Sequence, residues 1–145
     1  MLPALDAVPA GSIVTSTGAP SSIEVTGSGS VSQNNLALVA GDLPLNAFGF
    51  FLTSQAQGFV ANPGGSQGNL CLAGSIGRYV GAGQILNAGA AGSFTLPLDL
   101  NQTPTPTGLV AIGVGETWNF QAWHRDAVGG SATSNFTDGI SVQFQ

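Results

Sequence analysis

Lysine is absent from this chain of 145 residues, and only Arg78 and Arg125 carry fixed positive charge. Charged residues make up 6% of the sequence, where ordinary domains carry about 25%. The carboxylates Asp6, Glu24, Asp42, Asp99, Glu116, Asp126 and Asp138 leave a net charge of -5. Displacing counterions from a nucleic acid needs clustered Lys and Arg, so that partner class is excluded. Electrostatic docking on an anionic membrane fails for the same reason.

Cysteine and histidine occur once each, as Cys71 and His124. A zinc site needs several such ligands, and an internal disulfide needs a second thiol. Leu70 and Leu72 flank Cys71 with apolar surface, so it reads as a buried thiol used as a small hydrophobe. No apolar run reaches the roughly 20 residues of a membrane-spanning helix. The N-terminus has no basic segment, and Pro3, Asp6 and Pro9 break up its apolar residues. It does not read as a signal peptide, and the expected export signal lies upstream.

What is present is an apolar content of 43% with 22 glycines and 8 prolines. That is enough core for one domain and a turn-rich alphabet to divide it. Residues 1–20 read as a leading linker or loosely attached segment, and 21–145 as a folded β-sandwich module. Period-two alternation marks strands at 22–26, 94–100, 116–125 and 140–144. The run 36–40 is apolar throughout, as in a strand covered on both faces. The segment 48–52 is the most aromatic strand, 69–73 and 77–80 are short ones, and 61–68 is a long turn. Pro97 cannot donate to a ladder, which puts its strand at an edge. Residues 101–107 read as an extended linker. Glycine interrupts every helical window. The expectation is an all-β fold, a two-layer antiparallel β-sandwich of jelly-roll or immunoglobulin-like type, with about eight or nine strands.

Three segments go further. Gly68-Asn69-Leu70-Cys71-Leu72-Ala73-Gly74 is followed by Ile76-Gly77-Arg78-Tyr79. Residues 115–126 read GETWNFQAWHRD, and 134–139 read SNFTDG. Together they resemble a poorly characterised module at the C-termini of large secreted or surface proteins of planctomycetes and myxobacteria-like bacteria. The resemblance spans roughly residues 35–145. It implies export and an accessory role, and it supplies no catalytic residue.

Gly64-Gly65-Ser66-Gln67-Gly68 matches the G-x-S-x-G pattern of serine hydrolases, and Ser66, Asp99 and His124 follow in the chain order of that fold. The pattern needs a strand before the serine and a helix after it. Here Pro63 precedes it and a strand follows, so no catalytic residue is assigned. His124-Arg125-Asp126 recurs in kinase catalytic loops, but no lysine exists to hold phosphates. The sequons at Asn101 and Asn135 are read as incidental.

The strand 116–126 is the most informative segment. Alternation places Trp118, Phe120, Ala122 and His124 on a core face, and Asn119, Gln121, Trp123 and Arg125 on the other. An indole among amide and guanidinium donors is the chemistry by which sugar-binding modules hold a pyranose. These four residues, with Tyr79 as a second platform, form a candidate glycan face. The competing reading packs Trp123 under a loop or in the second layer, with Arg125 stacked on it. Asp126 and Asp138 bracket the loop 127–137 and are weak candidates for calcium; Asp138-Gly139 serves equally well as a turn. No cofactor is called for.

The expected function is a non-catalytic accessory or anchoring module of a larger secreted or cell-surface bacterial protein. The alternatives are a carbohydrate-binding module using Trp123, with polysaccharide as partner, or a self-associating subunit of an extracellular layer or filament. Low charge favours the latter. Other surface proteins are further candidate partners.

Overall fold

The computed structural model describes the backbone of residues 4–7 and all of residues 14–145. The fold is all-β and sandwich-like, with more strands than the eight or nine expected. The first half of the chain forms β1 (Ala4–Ala7), β2 (Ser22–Thr26), β3 (Ala37–Gly41), β4 (Phe48–Ser54), β5 (Ala56–Ala61), β6 (Asn69–Ala73) and β7 (Gly77–Arg78). The second half forms β8 (Leu86–Asn87), β9 (Phe94–Pro97), β10 (Thr103–Thr105), β11 (Gly108–Val110), β12 (Thr117–Val128), β13 (Ser131–Phe136) and β14 (Ile140–Gln143). Two single-turn 3-10 helices, Pro63–Gly65 and Gly89–Ala91, are the helical elements among the described residues.

The main sheet has seven strands, in the order β1-β14-β12-β4-β7, with β13 also on β12 and β8 also on β4. β12 is its spine. Along one edge, β14 pairs with residues 117–120 of β12 and β13 with residues 123–128. The tight turn between β12 and β13 is Gly129-Gly130, at φ 57° and 82°. Left-handed φ at both central residues matches the twist of a hairpin, and glycine adopts it without a Cβ penalty. Between β13 and β14 the ladder is interrupted at Thr137. Its N–H donates to the Ala122 carbonyl, while its hydroxyl accepts the Ala122 N–H at 2.9 Å.

The second sheet is β2-β3-β9. It packs on one face of the main sheet and closes the principal core. Leu36, Leu38, Ala40, Phe94 and Leu96 meet Phe51, Trp118, Phe120, Ala122 and Val142 there. Phe51 and Phe94 meet edge to face at 5.4 Å, the orientation their ring quadrupoles favour. Gly49 sits at this seam. A Cβ there would stand 2.5 Å from the Trp123 carbonyl and 2.9 Å from the Phe94 ring.

Several expectations need correction. Within residues 1–20, Ala4–Ala7 pairs antiparallel with β14 and Val14 bridges Pro20. The rest of the expected linker before Val14 lies outside the described residues. The segment 36–40 is not sealed on both faces. Its burial alternates, because only one face of the second sheet meets the core. Residues 101–107 are not a plain linker, because Thr103–Thr105 starts a hairpin with β11. The 127–137 loop is the β12–β13 hairpin. By contrast, β9 does lie at a sheet edge with Pro97 in it.

Candidate functional site

The other face of the main sheet is covered in part by the hairpin β5–β6. Side-chain amides on β12 dock it. The Cys71 N–H donates to Gln121 Oε1 at 2.9 Å. Gln121 Nε2 donates to the carbonyls of Asn69 and Thr137, each at 2.8 Å. The interruption at Thr137 leaves that carbonyl without a ladder partner on β12, and Gln121 supplies one. Asn119 Nδ2 donates to the Ser54 carbonyl, and its Oδ1 accepts from Gln57 Nε2 at 3.1 Å. Gln121 and Asn119 are 0% and 1% exposed. They replace backbone ladder partners where two sheets meet and have no access to a ligand. The candidate glycan face therefore loses both amides.

Tyr79 is lost as well. Its ring is 2% exposed and belongs to the principal core. Burial pushes its phenol well above the usual tyrosine range, since a phenolate there would be poorly solvated.

Trp123 and Arg125 remain at the surface. Trp123 is half-buried at the end of the row of outer-face residues on β12. Its register partner on β4 is Phe50, and the rings stack at 5.1 Å and 30°. The Arg125 guanidinium lies over the indole, 5.2 Å from its centroid, a cation–π distance. Beside them Leu52, Leu72 and Phe136 form a small second core, with Phe50, Leu70, Ile76 and Trp123 packed on it. The hairpin does not cover all of this apolar surface. A groove of about 380 Å³ stays open, lined by Phe50, Leu52, Pro63, Leu70, Ile76, Arg78, Trp123 and Phe136. Its volume is in the lower range of small-ligand pockets.

No family model, curated protein or solved structure matches this chain. Chemistry alone must then rank its polar clusters. Ser66 is buried; its hydroxyl donates to the Ser134 carbonyl at 3.0 Å and accepts the Gly68 N–H. Asp99 is exposed and accepts from Asn34 Nδ2 and from the Asn101 N–H. His124 bonds to neither. The three residues in hydrolase order do not meet.

His124 instead faces Ser21, which sequence reasoning missed. Nδ1 lies 2.9 Å from the Arg125 carbonyl and donates to it; Nε2 lies 2.9 Å from the Ser21 hydroxyl, whose single proton is shared between Nε2 and the Phe136 carbonyl at 3.2 Å. Burial disfavours the imidazolium, so the ring is neutral with its proton on Nδ1. Burial holds the imidazole pKa below its usual value, against opposing contributions from the Arg125 carbonyl and the Asp126 carboxylate. A serine beside a histidine is a nucleophile–base pair in outline. These two are 1% and 0% exposed, and the ring's other nitrogen faces a carbonyl rather than a carboxylate. The pair ties the segment before β2 to β12.

Asp126 serves the same attachment. Burial opposes its charge, but the Ser16 side chain, the Ala127 and Ser16 N–H groups and Asn135 Nδ2 outweigh that and hold its carboxyl below the usual range. Its oxygens already accept from these donors, so they offer a cation little. Asp138 is exposed, one residue beyond Thr137. No group of three metal-ligating side chains occurs among the described residues. Cys71 is a buried thiol, and burial is the first cause that raises its pKa, followed by the charge of Asp138.

Proposed function

We propose that this domain is a non-catalytic accessory module of a larger secreted or cell-surface bacterial protein, and that the groove at Trp123 is its ligand site. The observation that carries the reading is an open groove that keeps an indole and a phenyl ring half-exposed beside cations, in a chain that spends its other aromatic rings mostly on the core. Exposed aromatic anchors of this kind are costly unless a partner covers them. The resemblance of residues 35–145 to a module of exported proteins supports the accessory role.

The test is capture of surface polysaccharides and envelope proteins by the folded domain, compared with a Trp123→Ala variant. Binding that disappears in the variant, with melting largely retained, supports the groove. Equal capture by both proteins places the ligand elsewhere. A strong hydrolase or transferase activity of the isolated domain would overturn the non-catalytic reading.

Self-association has one observation in its favour. Among the described residues β5 pairs only with β6, and five of its six residues are exposed, with no charge or proline among them. Such an edge lacks the usual guards against a neighbouring strand. Sedimentation over a range of concentrations tests it: a single monomeric species throughout removes the reading.

A further inference from the structure

We infer that the ligand of the groove is an aromatic carboxylate, a flat apolar body carrying one acid group. This rests on the groove being the ligand site. The first observation is where the cations are. The chain has two: one lines the groove, and the other stands next to it over Trp123, bordering a separate depression with Ser16 and Asp126. Arg78, beside Leu52 in the β4–β7 ladder, lines the groove. Arg125 lies over Trp123, which also lines it. Both are exposed. On its far side Arg78 borders a depression that includes Asp99, but that carboxylate is engaged by Asn34 and Asn101.

The second observation is what else the lining offers. Apart from Arg78 it is apolar: Phe50, Leu52, Leu70, Ile76, Phe136, with Pro63 and the indole. The nearby amides of Asn119 and Gln121 are spent on backbone groups and on the Gln57 side chain. A neutral sugar entering this space would give up hydrogen bonds to water and find no uncharged side-chain partners in return. An apolar ring gives up only water. The stacked Phe50–Trp123 pair favours a flat body.

The third is charge. At -5 the protein repels anions at long range, so an acid is held only by close contact with a guanidinium. Arginine meets a carboxylate through two parallel N–H groups.

The probe is 2-naphthoate, compared with 2-naphthalenemethanol, D-glucuronate and a neutral cello-oligosaccharide. The readout is the indole N–H resonances of Trp123 and Trp118, assigned with Trp123→Phe. The expected result is saturable movement of the Trp123 signal by 2-naphthoate, with Trp118 still. The alcohol should bind about tenfold more weakly or worse. Arg78→Gln and Arg125→Gln, both at exposed sites, should lower naphthoate affinity towards that of the alcohol without changing the melting temperature. Equal affinity for acid and alcohol, or stronger binding of glucuronate or the oligosaccharide at Trp123, would overturn the ligand class and leave the groove standing. A Trp123 resonance that no probe moves, together with surface capture that survives Trp123→Ala, would overturn both.

Discussion

β12 presents two faces built by one alternating strand, and they are closed by different means. On the inner face Trp118, Phe120 and Ala122 meet an apolar sheet, and water is excluded by packing. On the outer face Asn119 and Gln121 meet backbone, and the hairpin is held by directed hydrogen bonds. The inner closure is tolerant of detail and strong in total. The outer one is specific and incomplete, and the groove is what it leaves open. A polar residue on a strand is thus no sign of solvent or ligand when the layer above it brings peptide groups to be satisfied.

If that contrast is right, Trp118→Ala should cost about 3–5 kcal/mol, as large-to-small aromatic changes in a core do. Urea or thermal unfolding reads it; an unchanged midpoint would mean the faces are reversed. Gln121→Ala should cost less, about 2–3 kcal/mol, because it leaves the Cys71 N–H and two carbonyls unsatisfied. Its signature should be local. The β5–β6 hairpin should open before the rest, so that a thiol reagent labels Cys71 in the folded variant but labels the parent only on unfolding. Labelling at equal rates in both would show that Gln121 does not hold the hairpin. Trp123→Ala, at the open end of the outer face, should cost only about 1–2 kcal/mol for its half-buried ring.

The gentlest effect expected is on pH dependence. His124 is depressed in the folded state by burial, so the unfolded chain binds its proton first. Its stabilisation is complete above the unfolded value of about 6.5 and is lost as pH falls below it. Asp126, also depressed, adds a loss at more acid pH, as the carboxylate range is reached. His124→Gln should flatten the first of these and spare the second. A parent whose stability is flat from pH 7 to 5 would contradict the buried neutral imidazole.

Much of this was legible in the residues. The alternation of β12 gave Trp118 and Phe120 to the core, the prolyl ring at Pro97 marked an edge, and the turn around Ser66 ruled out a nucleophile elbow. On the outer face the packing of Trp123 under Arg125 was foreseen as one of two readings, whereas the amides were misread for a physical reason. Alternation tells which residues share a face, but it does not tell what lies above that face. Asn119 and Gln121 look the same whether their amides meet a sugar or a peptide group. β5 escaped because Phe59 and Val60 stand side by side rather than alternating, and β13 because Ser, Ala, Thr and Asn carry little hydrophobic periodicity; the pairing of both is set by neighbours rather than by their own pattern. Ser21 as the partner of His124 lies 103 positions away, beyond any local signal.

The antiparallel pairing of β1 with β14 has a mechanical consequence. Ala4 stands opposite Gln143 and Ala7 opposite Ile140, so the start of one strand lies beside the end of the other. A tension applied through the two ends of this chain therefore loads the pair from one side. Its hydrogen bonds break one after another, as in a zipper, rather than together in shear. β1 should peel away at low force while β14 stays on β12, lengthening the molecule by a few residues before the sandwich itself bears the load.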